Sequence, residues 1–162
     1  MRSNSTSSFL LWTFPALSVL LAAFALPRPL SASLGGDATS VESDRAKMQA
    51  SLQTTNKDRF TVHEMKSANN VTVREFVSPT GKVFGVAWQG PTRPDMQQLL
   101  GSYFDQFIQA AQKQKSQTKR RGQLSINEPG LVVHMSGHQR YFVGQAYIPQ
   151  MLPSNVQAEE IR

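Results

Sequence analysis

Three histidines, two carboxylates on adjacent predicted strands, one basic run and a set of aromatic residues are where this chain could carry chemistry. His63, His134 and His138 are the only imidazoles among 162 residues, and cysteine is absent. Zinc needs three or four ligands converging at about 2.0–2.3 Å. His134 and His138 lie four apart, a spacing that suits one helix face, but the local pattern places them in a strand and the turn after it. "VHEM" around His63 and Glu64 lacks the second histidine of a zincin motif. Ordinary strand and turn histidines are the plainer reading, so no metal and no other cofactor is expected. Without thiols there is no disulfide framework, thiolate nucleophile or iron–sulfur site.

Glu64 and Glu75 are expected on neighbouring strands, on the face that also carries Val62 and Val73. Acids about 5–9 Å apart serve glycoside hydrolysis. A small hydrolase or metal-dependent enzyme using Glu64, Glu75 and the histidines is therefore the catalytic alternative, and two solvated acids are the simpler one. There is no G-x-S-x-G elbow, and "LGGD" has neither a preceding strand nor a lysine to make a phosphate loop.

Lys113, Lys115, Lys119, Arg120 and Arg121 crowd into nine residues, and the formal net charge is +6. Without these five and the two basic residues near the N-terminus, ten basic residues stand against eleven acidic ones. The basicity is local. Such a run could hold an anionic polymer or a membrane surface with strongly salt-dependent affinity. No aromatic side chain interleaves it, so nucleic acid is not the expected partner, and a solvated helix end is the plainer reading. Arg74, Phe84, Trp88 and Tyr141 are the candidate ligand-binding set, against the commoner reading of aromatic stripes as core.

The elements that must position these residues are legible from periodicity. Residues 9–26 are uncharged and apolar, and Ser31-Ala32-Ser33 supplies the small residues of a cleavage site. Residues 1–33 are expected to be a cleaved signal peptide, with an N-terminal membrane anchor as the alternative. A single domain is expected over 34–153, followed by a loosely ordered tail over 154–162. Thr39 and Glu42 suggest a capping box opening a helix from about Ser40 to Thr54. "RFTVHEMK" and "VTVREFV" read as strands. "SPTG" reads as a turn with a G1 bulge at Gly81, pairing Phe76 with Phe84 and Glu75 with Gly85. In that register Phe84, Val86 and Trp88 share a face with Phe76 and Arg74, and Gly85 and Ala87 leave room for a helix on the other.

That helix is the clearest element: Met96, Leu99, Leu100, Tyr103, Phe104, Phe107, Ile108 and Ala111 follow the i, i+3, i+4, i+7 rule. Thr92 and Asp95 offer it a capping box, and Pro94 suits its first turn. "QLSIN", "GLVVHMS" and "QRYFVGQAYIP" are three more strands, the last two joined through Gly137-His138. The expected fold is α+β: an antiparallel β-sheet with helices packed on it, in the order α-β-β-β-α-β-β-β.

Taken together, "LGGD", "VHEM", "VREFVSPTGKVFGVAWQGPTRPDMQQLLGSYF" and "GLVVHMSGHQRYFVGQAYIP" resemble an exported bacterial family known only as a domain of unknown function. The resemblance spans nearly all of 34–153 and implies export and one domain, with no catalytic residue or cofactor to carry over. The leading expectation is an exported, periplasmic or secreted, non-catalytic protein that binds a small ligand or an envelope partner, with no membrane span in its mature form.

Overall fold

The computed structural model describes residues 33–117 and 122–162. The expected signal sequence, but for Ser33, and Lys119, Arg120 and Arg121 lie outside the described residues. Seven strands form one antiparallel sheet: β1 (Ser51–Asn56), β2 (Thr61–Lys66), β3 (Thr72–Val77), β4 (Val83–Gly90), β5 (Gln123–Glu128), β6 (Leu131–His138) and β7 (Tyr141–Tyr147). Their order is β1-β2-β3-β4-β7-β6-β5. Two meanders, β1–β4 and β5–β7, meet where β4 pairs with β7. The chain between them crosses one face as α2 (Met96–Leu100) and α3 (Phe104–Gln117), and α1 (Val41–Met48) lies on that face also. The mixed α+β class and the antiparallel sheet agree with the sequence reading.

Three elements differ from expectation. The first helix stops at Met48, and the next residues form the edge strand β1, which is exposed along its whole length. Expected as one helix, 95–111 is broken at Gly101, whose φ of 50° and ψ of −120° no helix continues through. A Cβ there would sit 2.0 Å from Ser33 Oγ, so glycine is what lets the N-terminal segment cross. Asp95 caps α2, its Oδ1 accepting from the Gln97 and Gln98 amides at 2.9 and 3.1 Å. Pro94 therefore precedes the cap. The last hairpin turns at Gln139-Arg140, with Arg140 at φ 61°, since Gly137 pairs with Phe142 and His138 with Tyr141.

The register of β3 with β4 is the most consequential correction. Gly81 does take a positive φ of 77°, and Val77 pairs with Val83, as the turn demands. The ladder then slips, and Phe76 pairs with Gly85, not Phe84, and Glu75 with Val86. A bulge at Phe84 absorbs the extra residue and reverses the faces of every later residue in the strand. Val83, Val86 and Trp88 join Leu99, Leu100 and Phe107 in the core under the helices. Phe84 and Ala87 pack with Phe60, Phe76, Val156 and Ile161 on the opposite side. The helices thus cover the bulky side of β4, not the small one.

What covers the small side is the C-terminal segment, expected to be loose. Ile161 is fully buried, and a Cβ on Gly85 would lie 3.0 Å from its Cδ1. Glu160 anchors the segment twice, accepting from the Gln157 amide at 3.0 Å and pairing with Arg59 at 3.0 Å.

Candidate functional site

Alternation along seven paired strands sorts side chains into rows that cross the sheet. One row holds Leu52, Met65, Val73, Trp88, Gly144, Met135 and Leu124. It faces the helices and is apolar. One residue along lies a row of Gln53, Glu64, Arg74, Ala87, Gln145, His134 and Ser125 on the face away from them. This row is polar everywhere except at Ala87.

The part of this row from Arg74 to Ser125 floors an open groove of about 860 Å³, lined also by the polar Gln89, Gln123, Ser136 and Arg162 and by the apolar Leu124, Met135 and Val143. Its walls come from the fold. The C-terminal segment brings Arg162 to one side, and Gln114 of α3 clips the β5 edge on the other. Gln114 donates to the Ser125 carbonyl at 2.8 Å and accepts from the Ser125 amide at 3.3 Å. Arg74 and Arg162 also border a second hollow of about 350 Å³, toward β1, that contains Glu64. Arg74 Nε donates to Glu64 Oε2 at 2.6 Å, and both side chains remain partly exposed. Ser125 Oγ and His134 Nδ1 are 2.9 Å apart, a cross-strand pair that fixes the ring. His134 is flanked along its row by Ser125 and Gln145, and among the described residues no carboxylate orients it in the manner of a Ser-His-Asp triad.

On the helix side lies a different polar group. Glu75 is fully buried and so is Asp44 of α1. Gln98 Nε2 donates to Asp44 Oδ1 at 2.9 Å, leaving Asp44 Oδ2 and both Glu75 oxygens without a conventional donor among the described residues. Two carboxylates cannot stay ionised there. Burial, then the charge of Asp44 beside it, pushes Glu75 up to about 9, and burial raises Asp44 too. A protonated Glu75 donates to Asp44, which accounts for Asp44 Oδ2 and one Glu75 oxygen and leaves the other Glu75 oxygen without a partner among the described residues. Lys47 acts in the opposite sense on Asp44. His63, opposite Glu75 on β2, is pushed down by burial, and its Nδ1 lies 3.0 Å from Thr54 Oγ1.

The sequence-derived sets are therefore dispersed. Glu64 and Glu75 lie on opposite faces, because Glu64 pairs with Arg74 while Glu75 pairs with His63. Of Arg74, Phe84, Trp88 and Tyr141, Arg74 and Trp88 border the groove, Trp88 while only 2 % exposed. Phe84 is core beneath the C-terminal segment, and Tyr141 is exposed at the start of β7 with its ring 6.1 Å from that of His138. Lys113 and Lys115 are on the exposed side of α3. Among the described residues no three His, Asp or Glu side chains are grouped to hold a metal ion. Gln145, His134 and Ser125 were not joined by sequence reasoning. The signal was present in the alternation of β5–β7, but only strand order shows that they continue the Arg74 row.

This architecture is that of a small α+β domain with one sheet face packed under helices and the other partly open as a groove of mixed polar and apolar lining. The chain belongs to the family described as "Protein of unknown function (DUF2844)", which it matches over residues 30–161. No curated protein and no solved structure matches it.

Proposed function

We propose that this is an exported, non-catalytic binding protein that takes a small ligand, or a segment of an envelope partner, in the groove on the open sheet face. The observation that carries this reading is the polar row from Arg74 through Gln145 and His134 to Ser125, which floors a cavity of about 860 Å³. That size is within the range of small-molecule sites, about 300–1,000 Å³. Two-carboxylate glycoside hydrolysis by Glu64 and Glu75 would need them on one face, and they lie on opposite faces of the sheet. Export is supported by the uncharged stretch 9–26 and the small residues Ser31, Ala32 and Ser33 behind it.

The test pairs two measurements on the pure protein. Backbone and side-chain NMR signals of Gln145, His134 and Arg74 are followed while sugars, amino acids, short peptides and carboxylic acids are added. Hydrolysis of chromogenic glycosides, esters and phosphates is assayed alongside. Saturable shifts confined to the groove with no turnover are expected. Substantial turnover abolished by Glu64→Gln or Glu75→Gln would overturn the reading.

A further inference from the structure

We infer that the groove takes an elongate monocarboxylate with a hydrogen-bonding body, the chemistry of a peptide's C-terminal end. Its carboxylate is held between Arg74 and Arg162 and its chain lies along the polar row toward His134. This rests on the groove being the binding site and adds the ligand class.

Charge sets the first part. Among the described residues, Arg74 and Arg162 are the only formally charged ones lining the groove. Arg74 gives its Nε to Glu64, in the neighbouring hollow. Its two terminal nitrogens, and the Arg162 guanidinium, make no hydrogen bond among the described residues. Across the groove and the neighbouring hollow, Lys57, Arg74 and Arg162 stand against Glu64 and Glu160, a net side-chain charge of +1. That matches one carboxylate and leaves a phosphate dianion half neutralised. Guanidinium donors can hold a carboxylate in bidentate fashion.

Shape and hydrogen-bonding capacity set the second part. Ala87, beside Arg74 in the row, presents only a methyl group, so the floor is low there. Gln145 and His134 come next on the two neighbouring strands. Strands about 4.8 Å apart place His134 roughly 14 Å from Arg74, the length of about four extended residues. Gln145 and Gln89 each donate and accept, as a peptide backbone requires of its partner. Among the described residues no acidic side chain lines the groove to repel the anion.

The experiment titrates the full chain, observed by NMR, with tetraglycine, tetraglycine C-terminal amide and inorganic phosphate. Tetraglycine is expected to move the Arg74 and Arg162 guanidinium signals together with Gln145 and His134, and the amide to move none of them at the same concentration. Arg74→Gln and Arg162→Gln should each weaken binding about tenfold or more, as loss of a charge-assisted hydrogen bond does. Glu64→Gln should tighten it, because Arg74 loses its competing carboxylate, an effect that a purely structural Glu64 would not give. Equal response to the amide or to phosphate overturns the carboxylate class and leaves the groove standing as a site. Shifts outside the groove, or none with any probe, overturn both.

Discussion

Asp44 of α1 and Glu75 of β3 meet in the core with neither carboxyl exposed, and a proton on Glu75 holds them together. Removing that proton leaves two anions facing each other, with Gln98 as the one conventional donor to either among the described residues. Glu75 binds its proton more tightly in the folded chain than in the unfolded one. Stability from this pair is therefore fully present below the unfolded value near 4.5 and is lost as pH rises toward about 9. One proton gives a slope of up to about 1.4 kcal/mol per pH unit. Urea unfolding midpoints measured from pH 5 to 9 should fall steadily. Glu75→Gln, whose amide donates to Asp44 without titrating, should flatten that slope and be the more stable protein at pH 8.

The second face of β4 depends on the C-terminal segment. Ile161 fills the space over Gly85 and closes the cluster of Phe60, Phe76 and Phe84. Ile161→Ala removes buried methylenes from a site ringed by aromatic side chains, at a cost of about 2–5 kcal/mol. Chemical denaturation should show this loss, together with increased binding of a dye for exposed apolar surface. Arg59→Ala, which breaks only a partly exposed ion pair to Glu160, should cost less than about 1 kcal/mol.

Gly144 makes room for the indole of Trp88. A Cβ on it would approach Trp88 Cζ2 to 2.4 Å and the His134 carbonyl to 2.9 Å, and neither ring nor backbone can give way freely. Gly144→Ala should destabilise by about 1–3 kcal/mol and alter Trp88 fluorescence. Gly130→Ala is the comparison that separates two causes. Nothing lies within 4 Å of a Cβ there, so its cost reports only the positive φ of 89°.

How much of the fold is legible in the sequence depends on which forces write a local pattern. The Leu99, Leu100 and Phe107 stripe is an amphipathic signal, and it is buried on the sheet, though against the bulky side of β4 and not the small one. Strand β1 left no such mark: "SLQTTN" is an edge strand exposed on both sides, so no face had to be apolar. The bulge at Phe84 is decided by how side chains fill space on both faces of the sheet, and it reverses every face assigned after it. Glu64 and Glu75 were divided by a simpler register, that of β2 against β3, in which residues one step apart point opposite ways. Asp44 sits in a helix otherwise rich in solvated charges, and only tertiary structure shows that it is the one turned inward. The polar row became visible when strand order placed β7 against β4, a long-range choice that no local window contains.

The Arg74–Glu64 pair allows stability and binding to be separated. The two side chains meet at 2.6 Å but are 28 % and 36 % exposed, so solvent screens the attraction and exposed pairs of this kind contribute about 0–1 kcal/mol. Both residues sit mid-strand in regular ladders, and their removal breaks no backbone hydrogen bond. Arg74→Ala and Glu64→Ala should each move the urea midpoint only slightly, with a combined effect no larger than the sum of the two. A loss of several kcal/mol in Arg74→Ala would mean that the arginine is a buried structural cation. Near-neutral stability would leave an arginine at the edge of an open groove, with its terminal nitrogens turned to no acceptor among the described residues, as a group whose partner comes from outside the chain.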